Sequence, residues 1–471
     1  MEHTMLTYSF ENIGNDTLYE YLYKCIKTDI LNQVLKPHDK LPSKRNFAKN
    51  LDVSTITVEN AYAQLIAEGY LYSLPKKGYY VADISHPLAV THTPEREAPI
   101  VLTVQESPYF ASFLGSGTNH SNFPFSTWAK IMREIITSQS EALMTNPPPG
   151  GIMELRTAIA DHLLAFRGMH VNPARIIVGA GTEYLYGLLV QLLGHDLTYA
   201  VEDPGYQKIT RIYQSNGANC CYIPLDDNGI KIDALTESNA DILHISPSHH
   251  YPTGIVTPIS RRYELLSWAS MAKNRYIIED DYDCEFRLLG KPIPPLQSID
   301  VMDKVIYINT FTKTLSSTVR ISYMILPKPL LELFYKNLGF YSCTVSNFEQ
   351  YTLANFIGKR YFEKHINRMR NFYKTQRDTL LACIETSELS SRIEIREADA
   401  GLHFLMKVDT KLTDEDIMQK AKDAGILVTC LSNYYHNSRE GAEHTLVMNY
   451  SNIERDRIPE AVDRLCGVFC T

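Results

Sequence analysis

"KVIYINTFTKTLSSTVR", residues 304–320, opens as a strand and closes on a cluster of hydroxyl and cationic side chains. Val305, Ile306, Tyr307 and Ile308 make a continuous apolar run, the pattern of a strand covered on both faces. Thr310, Thr312 and Lys313 follow at once, and Arg320 stands one short loop later. Upstream, "RIIVGAG" (175–181), "LTYAVEDP" (197–204), "ADILHISP" (240–247) and "RYIIEDDYD" (275–283) repeat the strand-like run, with helical stretches between them. This alternation predicts an α/β fold with a mainly parallel central sheet. Over about 326–471, strands such as "LHFLMKV" (402–408) and "HTLVMNYS" (444–451) mix with helices and predict a smaller C-terminal α+β lobe.

The first 83 residues follow a different rule. Leu18, Tyr21, Leu22, Cys25, Ile26, Ile30 and Val34 recur at helical spacing over 17–35, and Lys36-Pro37 marks the expected end. In "LPSKRNFAKNLDVSTITVENAYAQLIAEG" (41–69), Ser43 and Ser54 are candidate N-caps of two further helices. Val58, Ala61, Tyr62 and Leu65 form the apolar stripe of the second, which Gly69 closes. "YLYSLPKKGYYVAD" reads as a hairpin with Pro75, Lys76, Lys77 and Gly78 at its turn. Three helices and a basic hairpin predict a winged helix-turn-helix. The N-terminal residues of a recognition helix meet base edges in the major groove. Ser54, Thr55 and Thr57 are therefore candidate DNA contacts, with Ile56 placed to meet a thymine methyl. Ser43, Lys44 and Arg45 suit phosphate at a helix N-terminus, and Lys76 and Lys77 suit the wing tip.

Between these regions, residues 84–109 are proline-rich and without clear period, which predicts a linker. The expected division is thus 1–83, a linker at 84–109, and a body at 110–471. The formal net charge of -8 excludes a wholly basic nucleic-acid coat, so DNA contact must come from a local patch. Nine cysteines lack paired spacing, which points to reduced thiols in a cytoplasm and to no metal site. No apolar run approaches the length of a membrane-spanning helix.

A lysine amine can condense with an aldehyde such as that of pyridoxal phosphate. That chemistry needs an acid opposite the pyridine nitrogen and donors around the phosphate. Strand ends, where ligands of open α/β sheets collect, offer Asp280, Tyr282 and Tyr206. The glycine turn "GAGTEYLYGLLVQLL" (179–193) offers the amides of Gly181, Thr182 and Glu183 for the phosphate.

Two resemblances follow from these residues. "LKPHDKLPSKRNFAKNLDVSTITVENAYAQLIAEGYLYSLPKKGYYV" resembles the GntR-type winged helix-turn-helix over residues 17–83, except that Thr55 stands where an arginine is frequent. Residues 110–471 resemble fold-type I pyridoxal-phosphate aminotransferases. That resemblance implies Lys313 as the aldimine lysine, Asp280 on the pyridine nitrogen and Tyr282 toward the ring hydroxyl. It implies Tyr206 stacked on the ring, with Gly181, Thr182, Thr310, Thr312 and Arg320 on the phosphate. "SPSHHYPTG" (246–254) matches the loop beside the ring, with Tyr251 where aminotransferases usually hold asparagine.

Together, "PSHHYPTG", "IIEDDYD" and "TFTKTL…R" resemble the MocR/GabR architecture. It implies a homodimeric transcription regulator that binds double-stranded operator DNA. Its pyridoxal-phosphate site would sense an amino acid, an amine or the cofactor itself. An active aminotransferase carrying a DNA-binding appendage is the alternative. Val447 stands where aminotransferases hold the carboxylate-binding arginine, which weakens that alternative. Lys208 and Arg439 are the candidate substitutes for effector binding.

Overall fold

A computed structural model describes residues 6–10, 13–14, 16–84, 109–115, 122–288, 293–399, 401–437 and 441–469. The chain divides into two compact units, Met1–Gln105 and Glu106–Thr471. Most of the expected linker, 85–108, lies outside the described residues.

The first unit contains helices Leu18–Leu31, Lys44–Leu51 and Thr55–Ala67, and a hairpin of Leu71–Leu74 with Gly78–Val81. A short strand, Lys40–Leu41, adds to the hairpin as a third member. Leu22, Ile26, Phe47, Val58, Tyr62, Leu65 and Val81 close its core. Burying each aliphatic side chain there contributes about 1.5–3 kcal/mol before entropy is counted. The fully buried Tyr62 keeps its hydroxyl satisfied by donating to the Pro42 carbonyl at 3.0 Å. The first helix is shorter than its periodicity predicts. It ends at Leu31, and the Val34 and Leu35 N–H groups both turn back to the Asp29 carbonyl. Gln33 takes a left-handed φ of 58° and Val34 is 67% exposed, so Val34 is not part of the apolar stripe.

In the second unit an eight-stranded sheet runs in the spatial order Ile176–Gly179, Ser322–Ile325, Val305–Thr310, Tyr276–Asp280, Ile242–Ile245, Thr198–Asp203, Asn219–Asp226, Gly229–Ile230. The five strands from Val305–Thr310 to Asn219–Asp226 are mutually parallel. Ser322–Ile325 is antiparallel to both of its neighbours. Parallel strands end on one edge, so Asp280, Thr310 and Asp203 arrive there together.

The smaller lobe begins later than the sequence patterning predicts. Helix Lys328–Asn337 packs on the large sheet and on helix Thr182–Leu193, and helix Asn347–Gly358 packs on the sheet and on helices Phe125–Ser138 and Met153–Arg167. The lobe itself is a three-stranded antiparallel sheet of Ile393–Arg396, His403–Val408 and Thr445–Asn449, covered by helices Asp414–Asp423 and Ile458–Phe469. Helix Tyr361–Glu385 spans both parts: Phe362 and Ile366 join the large core, Met369, Tyr373 and Leu380 the smaller one. Ala111–Ser112, far away in sequence, pairs with Ile426–Leu427 inside the lobe. No helix among the described residues is long and apolar enough to cross a membrane.

Candidate functional site

In the first unit, both expected caps are formed. Ser43 Oγ accepts from the Asn46 N–H at 3.3 Å, and Ser54 Oγ from the Thr57 N–H at 3.1 Å. Asp52, left-handed at φ 52°, makes the turn between the two helices. With Val58, Ala61, Tyr62 and Leu65 buried, Thr55, Ile56, Glu59 and Asn60 must face outward. Ile56 is 67% exposed at the start of this helix, which no packing demand explains. Arg45, Lys76 and Lys77 are exposed. Lys44 differs from expectation: its ammonium is held by Glu59 at 2.6 Å and lies over the Tyr79 ring. Its charge is largely spent within the fold.

The second unit holds a cavity of about 610 Å³ at the C-terminal edge of the parallel strands. Lys313, Asp280, Tyr282, Tyr206, Gly181, Thr182, Glu183, Thr310, Thr312, Arg320 and Lys208 all line it, although they are spread over more than a hundred positions. Arg439 lies outside the described residues.

Asp280 forms the floor. Its Oδ2 accepts from the Tyr186 hydroxyl at 2.5 Å and lies 3.6 Å from His244 Nε2. His244 is itself held through Nδ1 by Tyr213 at 2.6 Å. Asp280 Oδ1, also buried, has no partner among the described residues. A buried unpartnered carboxylate oxygen costs free energy unless a donor comes to it. Lys313 faces the same space and donates to the Gly115 carbonyl at 3.3 Å. Burial lowers its amine pKa, only partly offset by the Asp283 charge.

At the other end Gly181 precedes helix Thr182–Leu193 with φ 92°. A Cβ there would come within 2.8 Å of Arg320 Nη2, so only glycine lets the guanidinium approach this turn. Arg320 and Lys208 both contact the Glu183 carboxylate. Thr310 is used internally: its hydroxyl donates to Thr312 Oγ1 at 2.8 Å and accepts from Ser322 at 2.7 Å. It therefore shapes the lysine loop rather than presenting a free donor.

Along one side, Tyr206 stands edge-on to Tyr251 with ring centroids 5.7 Å apart. Tyr251 shares a 2.7 Å hydroxyl contact with Tyr434. Val447 is buried with Leu405, Leu431 and Ala442 beside these tyrosines, so the place of the missing arginine is apolar. The Tyr282 hydroxyl lies 3.3 Å from His249 Nδ1, which also contacts Asp283 at 2.9 Å. Burial lowers the His249 pKa, but Asp283 outweighs it and the net shift is upward. Glu202, buried beside Asp280 and 3.5 Å from His250, is pushed up to about 8 by desolvation.

Sequence reading missed Glu202, His403, Tyr434 and Asn449, which line the cavity, and His249 and His250, which stand behind it against Tyr282 and Glu202. The adjacent histidines of "SPSHHYPTG" were a visible signal. His403, Tyr434 and Asn449 had none, because the smaller lobe brings them in from elsewhere.

Comparisons with known proteins agree with this geometry. Residues 18–81 match the family described as "Bacterial regulatory proteins, gntR family". The uncharacterized HTH-type transcriptional regulator YdeL of Bacillus subtilis is 36% identical over 95% of this chain and 96% of its own. The probable rhizopine catabolism regulatory protein MocR of Rhizobium meliloti is 30% identical over 96% and 94%. The multiple substrate aminotransferase of Thermococcus profundus superposes with a TM-score of 0.68 at 23% identity, covering 78% of this chain and 92% of that one. The last similarity establishes the aminotransferase fold of the second unit.

Proposed function

Because the chain belongs to the MocR-type transcriptional regulators, with a gntR-family DNA-binding head and a body of aminotransferase fold, we propose that the body binds pyridoxal phosphate and senses a small amine through it. The observation that carries this reading is Asp280 Oδ1, a buried oxygen without a partner among the described residues, at the floor of the cavity that Lys313 and Arg320 also line. A pyridine N–H would satisfy it. Tyr186 and His244, at the opposite oxygen, keep the carboxylate aimed. Pyridoxal phosphate, when bound, supplies an aldehyde able to exchange one amine for another. The lowered pKa of Lys313 raises its neutral, nucleophilic fraction. Gly181, Thr182 and Arg320 would hold the phosphate, and Tyr206 would cover a ring face.

With pyridoxal phosphate bound, an effector amine in place of Lys313 would leave the lysine side chain free and would lie beside Tyr251 and Tyr434. Such exchange changes DNA binding only if the two states of the body differ in affinity for the effector. Val447, buried in an apolar cluster behind Tyr251 and Tyr434, supplies no cation for a carboxylate, which favours effectors recognised without a bidentate carboxylate clamp. A second copy of the chain is the proposed partner. Phe125, Ile136, Met144, Met153 and Phe340 are all exposed on elements packed around helix Asn347–Gly358 or leading into it, apolar side chains of the kind subunit interfaces cover.

The test is a titration of the purified protein with pyridoxal phosphate, then with amines and amino acids. Visible absorbance and retention of a duplex selected on the protein from a random library are read together. One effector that moves both signals supports the sensor. Steady turnover dependent on an oxo acid, with DNA retention unmoved, would make the body an enzyme and overturn it.

A further inference from the structure

Arg320, the cation that would receive a phosphate, is already engaged by an anion of this chain, which also holds Lys208. Glu183 is the second residue of helix Thr182–Leu193, where the helix dipole favours negative charge. Its Oε1 accepts from Lys208 Nζ, and its Oε2 lies 3.2 Å from Arg320 Nη2. The Lys208 contact draws the Glu183 pKa down against partial burial, and Arg320 adds to it. Arg320 is held over Gly181 so closely that a Cβ there would lie 2.8 Å from Nη2. Both cations and the carboxylate line the cavity that contains the unpartnered Asp280 oxygen. One carboxylate thus occupies the anion position between a lysine, an arginine and a helix N-terminus.

We propose that Glu183 is a built-in competitor for the phosphate, and that its side chain, rather than its amide alone, sets the affinity of this site. An entering phosphate must take the Arg320 guanidinium from Glu183 or share it, and in either arrangement it meets a like charge. The carboxylate therefore holds down the preference for phosphorylated over unphosphorylated ligand, and occupancy of the site follows the supply of ligand over a weaker concentration range. This inference rests on the cofactor reading above.

The test compares pyridoxal phosphate with pyridoxal, which has the same aldehyde and no phosphate. Dissociation constants are measured by absorbance on the full chain and on Glu183→Gln and Glu183→Ala. Both variants should raise the preference for pyridoxal phosphate roughly three- to tenfold, the size expected for removing one partly exposed like charge. Pyridoxal binding should be unmoved. A residue that merely starts the helix would, when replaced, leave that preference unchanged or lower it, and this result would overturn the inference while leaving the cofactor reading intact. If neither aldehyde binds the unmodified chain, both fall.

Discussion

Lys313 and Glu202 show how one cavity shifts two groups by the same cause. Burial disfavours charge, so it lowers the lysine amine and raises the carboxyl. For Lys313 the consequence is nucleophilicity. Lys313→Ala should remove the adduct that borohydride traps after incubation with pyridoxal phosphate, located by peptide mass spectrometry, and leave the far-ultraviolet circular dichroism unchanged. For Glu202 the consequence is stability. Its folded pKa, about 8, lies above that of an exposed glutamate, so the folded state holds the proton more tightly. The contribution is fully present below the unfolded pKa and is lost as pH rises through about 8. Its slope approaches about 1.4 kcal/mol per pH unit within that window. Glu279 and Glu285, both buried and pushed up to about 7, act in the same direction. The Glu202 share is therefore the difference between the native chain and Glu202→Gln, which should lose stability less steeply from about pH 5 to pH 8 in urea unfolding. The Glu202 shift was not legible in "LTYAVEDP". An acid at a strand end looks the same whether it meets water or a buried neighbour.

At the scale of elements, the two helices of the DNA-reading motif were legible to the cap, because Ser43 and Ser54 act on amides three residues away. The first helix was overrun because Val34 continues the apolar period although the backbone has already turned at Gln33. Lys44 and Arg45 are neighbours with different fates: Lys44 is paired with Glu59, while Arg45 is exposed. Arg45→Ala should therefore weaken duplex binding several-fold and lower the salt slope by about one, in titrations at varied salt. The absorbance of bound pyridoxal phosphate should stay as it was. An altered absorbance with unchanged DNA affinity would refute this assignment of roles. In the body, the glycine turn before helix Thr182–Leu193 was readable, but the Glu183 side chain reaching across to Arg320 was not.

At the scale of the whole molecule, the proposed second copy of the chain would cover apolar side chains that now meet water. Phe340 is 76% exposed and Phe125 65%, an unusual cost for a monomer in water. Phe340→Glu should shift the sedimentation coefficient from dimer toward monomer, with circular dichroism unchanged. A native chain that sediments as a monomer at micromolar concentration would sink the dimer. The smaller lobe also belongs to this scale. It draws on Ala111–Ser112, helix Tyr361–Glu385 and the C-terminal helix Ile458–Phe469, segments more than three hundred residues apart at the extreme.

By itself, the sequence determined the two-part plan, the helix-turn-helix with its caps, the parallel strands and the side chains that stand at their ends. These follow from local periodicity, capping and strand-end placement, which act over a few residues. Only the tertiary structure decided that Asp280 leaves one oxygen without a partner, that Glu183 sits between Lys208 and Arg320, and that Val447 joins an apolar wall with Tyr251 and Tyr434. Those outcomes depend on which distant side chains meet across the sheet edge. Desolvation and charge pairing are properties of that meeting, not of any residue in its own stretch of chain.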